Sequence, residues 1–97
     1  MNYGVPPTLL TTEEISEGLT DVEWDWEGAE LIKTVELGDF AAALAYVNRV
    51  GALAEHRNHH PDISISYKTV TLHLSTHSAG GITELDLELA KAIDALQ

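Results

Sequence analysis

The sequence predicts an α+β fold in a single domain, with a four-stranded antiparallel sheet and helices packed on one face. Segments whose apolar residues alternate at period two stand beside segments whose apolar residues recur at three- and four-residue steps, in the order α-β-β-α-β-β-α. The predicted strands follow one another through tight connections, which is typical of antiparallel pairing. A length of 97 residues fits one domain and leaves little room for a second.

The first element is predicted to be a short helix behind an N-terminal lead-in. Residues 1–10 are expected to be flexible, and the domain is expected to span residues 11–97. Thr11 and Glu14 have the spacing of a capping box, which predicts a helix start, and Gly18 is predicted to end the helix.

A β-hairpin is predicted to follow. Residues 21–28 alternate acidic and apolar side chains at period two, which predicts a half-buried strand. Its apolar side chains are those of Val22, Trp24 and Trp26. Gly28 supplies a turn, and residues 29–37 have the length and the β-branched content of a pairing strand.

A long helix is predicted from residue 40 to about residue 58. Asp39 is its expected N-cap, and Gly51 is interpreted as a close-packing position. The predicted apolar stripe consists of Phe40, Ala43, Leu44, Val47, Val50 and Ala54. Pro61 is expected to stop the helix, because a proline disfavours the helical conformation at the preceding residue.

Two more strands and a third helix complete the predicted order. Residues 63–67 alternate, and the pattern predicts Tyr67 on the core side. Residues 70–75 alternate in the same way, and the glycine pair at 80–81 predicts a tight turn. Thr83 is expected to cap the last helix. The predicted apolar face of that helix consists of Leu85, Leu89, Ala92, Ile93 and Leu96.

The composition narrows the possible functions. The chain has no cysteine, which excludes disulfides, thiolate metal sites and a cysteine nucleophile. The formal net charge of −11 repels phosphate backbones and anionic membranes, so we expect neither direct nucleic-acid binding nor membrane binding. No apolar run approaches the roughly 20 residues that span a bilayer. The N-terminus lacks the features of a secretory signal, and a cytoplasmic location is therefore expected.

Histidines cluster where the long helix is predicted to end. His59 and His60 are adjacent and precede Pro61, so both rings can turn to one side of an irregular backbone. His77 stands at the end of the fourth predicted strand, where alternation predicts that it shares the open face of the sheet with His73 and Ser75. Imidazoles exchange protons near neutral pH, which suits general acid and general base catalysis.

Other interpretations of these polar residues stay open. The histidines can be solvated surface residues, and Glu55 can be a solvated charge. His56 and His60 would have metal-site spacing on a continuous helix, but the predicted break and the lack of an obvious third ligand disfavour a metal site. Asp86 has the N3 position of a capping box, which is a sufficient structural role. Ser75 and Thr76 can bind a ligand or simply finish a strand.

The spacing of these residues resembles a family signature. The run is Glu55-x3-His59-His60-Pro61-x5-Tyr67-x9-His77-x8-Asp86, and it is similar to that of the pterin-4a-carbinolamine dehydratase family. The segment LSTHSAGGIT resembles the family's sequence around its third active-site histidine. The resemblance extends from Thr12 to Leu96.

The resemblance implies an enzyme that removes water from 4a-hydroxytetrahydropterin to give quinonoid dihydropterin, in tetrahydrobiopterin recycling, without a metal or another cofactor. It implies that His59 and His77 are the acid–base pair, that His60 assists, and that Glu55 and Asp86 orient histidines or substrate. The residues implied to line the pterin site are Asn58, Ser75, Thr76 and Ser78. Leu85 stands where some relatives carry a basic residue.

The resemblance also bears on partners and on other functions. The family forms dimers or tetramers, and an open sheet with an exposed edge strand invites pairing, so a homodimer or homotetramer is expected. Animal relatives also serve as dimerisation partners of a transcription factor, which makes a non-catalytic interaction role one alternative. A related role in molybdopterin metabolism is another.

Overall fold

The computed structural model describes residues 7–96, and within them the predicted order α-β-β-α-β-β-α is confirmed. The helices are α1 (Thr12–Gly18), α2 (Phe40–Arg57) and α3 (Glu84–Asp94), and a 3₁₀ turn (Leu19–Asp21) follows α1. The strands are β1 (Asp25–Glu27), β2 (Glu30–Glu36), β3 (Asp62–Ser66) and β4 (Thr69–Leu74). No helix in this range is both long enough and apolar enough to cross a membrane.

Most of the predicted lead-in, residues 1–6, lies outside the described residues, and its flexibility stays a prediction. Residues 7–10 form neither helix nor strand. The N–H of Leu10 donates to the carbonyl of Ile82 at 3.0 Å, and the Leu10 side chain packs against the core. The chain just before α1 is therefore held beside the start of α3.

The four strands form one antiparallel sheet in the order β1-β2-β4-β3. Cross-strand pairing puts Leu31 of β2 opposite Leu74 of β4, and both side chains are fully buried under the helices. His73 points to the other, open face, because successive side chains of a strand alternate. β4 lies in the interior of the sheet, and the turn that follows it leads to α3.

Helix α2 packs on the sheet through a stripe that matches the predicted one in part, at Ala43, Val50 and Ala54. Asp39 caps it as expected, since its side chain accepts from the N–H of Ala42. The buried side chains are those of Ala43, Tyr46, Val50 and Ala54. Phe40 and Leu44 are 47% and 41% exposed, so their predicted core positions are wrong. Leu44 lies about 100° around the helix from Ala43, which turns it away from the sheet.

Helix α2 ends where the sequence predicts, near Asn58, and a left-handed backbone cap forms this end. Asn58 adopts the left-handed conformation (φ 51°, ψ 42°), and its N–H donates to the Glu55 carbonyl at 3.2 Å. The next N–H, of His59, donates to the carbonyl of Ala54 at 3.1 Å, which completes a Schellman ending. The helix thus ends at this cap, and Pro61 lies beyond it in the chain. A Cβ on Gly51 would meet no atom within 4 Å, so Gly51 is not a close-packing position.

Two further apolar side chains lie outside the core against prediction. Tyr67 is 66% exposed with φ 53°, because Ser66 pairs with Thr69 and leaves Tyr67 in the two-residue turn of the hairpin. Leu85 is 39% exposed. Leu87, two residues further along α3, belongs to the core.

Candidate active site

A cleft of about 320 Å³ lies where the end of α2, the turn after β4 and the start of α3 meet. Residues from these three places and one residue from the N-terminal segment form its wall. They are Pro7, Asn58, His59, His60, Ser75, Thr76, His77, Ser78 and Leu85.

Two backbone features bring the histidines to this cleft. The left-handed Asn58 turns the chain off the axis of α2, so that His59 and His60 do not continue the helix. After β4, the N–H of Thr76 donates to the carbonyl of Gly81 at 2.8 Å, and this contact closes a turn that contains His77. Gly80 has φ 80° in that turn, a conformation that favours glycine, which confirms the predicted tight turn.

His59 is bound to a buried carboxylate. Its Nε2 lies 2.6 Å from Oδ1 of Asp86, and Asp86 is completely buried. The His59 side chain itself is only 11% exposed. Asp86 lies in the first turn of α3, where the helix dipole stabilises negative charge.

The second oxygen of Asp86 is held by two donors. Oδ2 accepts from the hydroxyl of Thr76 at 2.7 Å and from the N–H of Thr83 at 2.9 Å. The hydroxyls of Thr76 and Thr83 are 2.7 Å apart and hydrogen-bonded to each other. The capping box expected at Thr83 and Asp86 is therefore present, and it extends into the cleft through Thr76.

His60 has a carboxylate partner of a different kind. Its Nε2 lies 2.5 Å from Oε2 of Glu55, one turn back on α2. Both side chains are exposed, at 53% and 79%. Water screens such a pair, so this carboxylate holds its imidazole much less firmly than Asp86 holds His59.

The two remaining histidines near β4 differ in position. His77 is exposed, lines the cleft and has no hydrogen-bond partner for its ring within residues 7–96. His73 binds Glu30 at 2.6 Å on the open face of the sheet and is not part of the cleft. Strand β4 ends at Leu74, so the predicted alternation does not extend to Ser75 and His77. Among the described residues, no group of three or more His, Cys, Asp or Glu side chains is arranged to hold a metal ion.

The structure brings together all the residues that the sequence proposed for a site. Seven of them line the cleft, and these are Asn58, His59, His60, Ser75, Thr76, His77 and Ser78. The other two, Glu55 and Asp86, stand behind it and bind His60 and His59. Pro7 and the hydroxyl of Thr83 were missed. The capping-box spacing of Thr83 and Asp86 was visible in the sequence, but the contact with Thr76 depends on the turn.

Comparisons with known proteins agree with one another. The family described as pterin 4 alpha carbinolamine dehydratase matches residues 8–96. A protein from Nocardia farcinica, named "Putative pterin-4-alpha-carbinolamine dehydratase", is 49% identical over 91% of this chain and 94% of its own length. A protein of the same name from Sulfurisphaera tokodaii is 47% identical over 90% of this chain and 95% of its own.

Solved structures extend the comparison. A "transcriptional coactivator/pterin dehydratase" from Brucella melitensis has a TM-score of 0.85 at 30% identity and covers 90% of this chain and 96% of its own. A "pterin dehydratase-like protein", described as a RuBisCO assembly factor in the alpha-carboxysome, has a TM-score of 0.62 at 25% identity and covers 77% of this chain and 87% of its own. Profile, relatives and fold coincide over nearly the whole described chain, and the protein therefore belongs to the pterin 4 alpha carbinolamine dehydratase family.

Proposed function

We propose that the protein is a dehydratase that removes water from a 4a-hydroxytetrahydropterin and gives the quinonoid dihydropterin. One observation carries the proposal: His59, His60 and His77, from two distant segments, line one cleft. Family membership supports the same reaction class.

The reaction needs one proton donor and one proton acceptor. The bond between C4a and its hydroxyl oxygen breaks, and the oxygen leaves as water once it has gained a proton. The proton on N5 is lost, and a double bond forms between C4a and N5. Acid–base help of about 10²–10⁴-fold, together with positioning, is a sufficient role for imidazoles.

His59 is the proposed acceptor. An ionised Asp86 would only accept hydrogen bonds, so its short contact with His59 would be made by a proton on Nε2 of the imidazole. In the neutral ring Nδ1 is then unprotonated, and it can take the proton from N5. Asp86 would stabilise the imidazolium that forms, as a buried carboxylate does in a Ser-His-Asp triad.

His77 is the proposed donor, with His60 assisting. No carboxylate within residues 7–96 binds the His77 ring, so nothing there holds its proton back from the leaving hydroxyl. His77 is also exposed, which lets it regain a proton from solvent after each turnover. Asn58, Ser75 and Ser78 have polar side chains on the cleft wall that can bind the amide and amine edge of the pterin.

The wider setting belongs to the same proposal. The reaction would recycle tetrahydrobiopterin or a related pterin cofactor in the cytoplasm, without a bound cofactor of its own. The protein would act as a homodimer or homotetramer, which the position of β3 as an edge strand and the exposed Phe40 and Leu44 of α2 support.

A second candidate is a non-catalytic assembly role. The solved structure described as a RuBisCO assembly factor favours it, because that fold serves there in assembly. In such a role, the surfaces of the helices and strands would bind another protein, and the histidines would not be needed. A related role in molybdopterin metabolism would use the same cleft on a different pterin.

An assay of dehydration decides between these functions. Purified protein should accelerate the disappearance of freshly generated 4a-hydroxytetrahydropterin. His59→Ala and His77→Ala should each lower the rate by about 100-fold, in the range of acid–base contributions. His73→Ala is the matched control, because His73 also binds a carboxylate but lies outside the cleft, and it should keep full activity. Full activity of both cleft variants, or an inactive wild type, would refute the proposed reaction.

A further inference from the structure

The hydroxyls of Thr76 and Thr83 form a directed chain behind the catalytic cleft. A hydroxyl has one proton to donate, and that of Thr76 goes to Asp86 Oδ2 at 2.7 Å. The hydrogen bond between the two threonines must then be donated by Thr83 and accepted by Thr76. Thr83 in turn accepts from the N–H of Leu85 at 3.2 Å. Every member of the chain therefore has a fixed direction.

Burial makes this chain stable against exchange with water. Thr76 is 4% exposed, Thr83 is 1% exposed and Asp86 is completely buried. Inside a protein such hydrogen bonds are stronger than in water, and a lost partner is costly because no water replaces it. Three hydrogen bonds, two on Oδ2 and one on Oδ1, thus fix the plane of the carboxylate.

We propose that Thr76 and Thr83 are positioning residues, whose paired hydroxyls hold the Asp86 carboxylate so that it keeps the proton of His59 on Nε2 and leaves Nδ1 free for the substrate. This inference rests on the proposed dehydratase function for its effect on rate. Its structural half, the control of the His59 tautomer, can be measured without substrate.

The arrangement bears directly on the role expected for Thr76. The family resemblance implies that Thr76 binds the pterin, and Thr76 does lie on the cleft wall. Its hydroxyl proton, however, is committed to Asp86, so the hydroxyl cannot donate to a pterin at the same time. Thr76 would act on the reaction through Asp86 and His59.

The first experiment replaces Thr76 by valine, which has nearly the same shape and no hydroxyl. Oδ2 of Asp86 then keeps only the N–H of Thr83, and the carboxylate can turn about its Cβ–Cγ bond. We expect the ¹⁵N NMR signals of His59 to change from a single Nε2–H tautomer to a mixture of two tautomers. We expect kcat to fall by about 10-fold, as for other partners that orient a catalytic group, while KM changes by less than about 2-fold.

Conservative and matched variants separate positioning from folding. Thr76→Ser keeps the hydroxyl and should restore both the tautomer and kcat. Thr83→Val should shift the tautomer in the same direction as Thr76→Val, and Thr83→Ser should restore it. Thr11→Val is the control for the loss of a helix cap, because Thr11 forms the same capping box on α1. Within residues 7–96 its hydroxyl makes one hydrogen bond, which it accepts from the N–H of Glu14. This variant should leave the His59 signals and kcat unchanged.

The outcomes are distinct. A single unchanged His59 tautomer in both valine variants overturns the proposal, and so does a rise in KM at constant kcat for Thr76→Val, which would show direct substrate binding. If Thr76→Val does not fold, the Thr83→Val and Thr83→Ser pair decides by the same two measurements. If wild-type protein shows no dehydratase activity, the proposed function fails, while the tautomer measurements still confirm or refute the positioning role.

Discussion

Nε2 of His59 lies 2.6 Å from Oδ1 of Asp86, and the carboxylate that holds this imidazole has no exposed surface at all. His60, the next residue, binds Glu55 at 2.5 Å in an exposed pair. Two adjacent histidines thus have carboxylate partners at similar distances in opposite environments. Burial, and not distance, is what distinguishes them, so the two pairs should respond very differently to substitution.

Asp86→Asn should lower kcat by about 100-fold, close to the loss found when a partner that orients a catalytic group is replaced. The donors of Thr76 and Thr83 require an acceptor at the Oδ2 position, so the asparagine oxygen will occupy it. Its NH₂ group then faces Nε2 of His59 and forces the proton onto Nδ1. The dehydration rate and the ¹⁵N signals of His59 measure both effects, and an unchanged rate would contradict the proposed role of His59.

Glu55→Gln should change kcat by less than about 3-fold, because exposed ion pairs contribute little in water. The variant keeps a side chain of the same length on the last turns of α2. Its dehydration rate, measured beside that of Asp86→Asn at low and high salt, tests the comparison. A loss as large as that of Asp86→Asn would show that exposure does not weaken the His60 pair.

Substitutions at Asn58 test whether the left-handed end of α2 positions His59 and His60. Asn58→Val puts a β-branched side chain at φ 51° and should lower the free energy of unfolding by about 1–2 kcal/mol. Asn58→Gly suits this conformation and should change it by less than about 0.5 kcal/mol. Both variants lose the amide side chain, so the difference between them in urea unfolding tests the backbone conformation. Equal behaviour of the two variants would exclude a role for the left-handed conformation.

Local patterns in the sequence were sufficient for the order of elements and for the helix caps at Thr11, Asp39 and Thr83. These features depend on periodicity and on residues within one turn of each other. Phe40, Leu44 and Tyr67 were misplaced because the burial of an apolar side chain depends on which way its element faces. That direction is set by tertiary packing and by the exact end of a strand, which periodicity does not contain.

The candidate site was also predicted only in part. Its members were found from residue type and family spacing, including Glu55 and Asp86. What could not be found was the connection between them, because the Thr76 hydroxyl reaches Asp86 only through a turn closed by the contact between Thr76 and Gly81. Alternation also failed for His77, since a strand pattern has no meaning once the strand has ended.

Tyr46→Phe should raise the free energy of unfolding by about 1 kcal/mol near pH 8, because the Tyr46 hydroxyl is buried without a hydrogen-bond partner among residues 7–96.

Burial raises the pKa of the Tyr46 phenol, the nearby Asp94 carboxylate raises it further, and Arg49 lowers it. Below about pH 9 the phenol is protonated in both folded and unfolded chains. Above that pH the unfolded chain releases the proton while the folded chain keeps it, so the wild type loses stability as pH rises toward the folded-state pKa. The advantage of the variant in urea unfolding should therefore grow from pH 9 to about pH 11. Tyr67→Phe removes an exposed hydroxyl and is the control, so its free energy of unfolding should match that of the wild type near pH 8. A stability advantage of Tyr46→Phe that stays constant above pH 10 would show that the buried phenol does not couple folding to proton release.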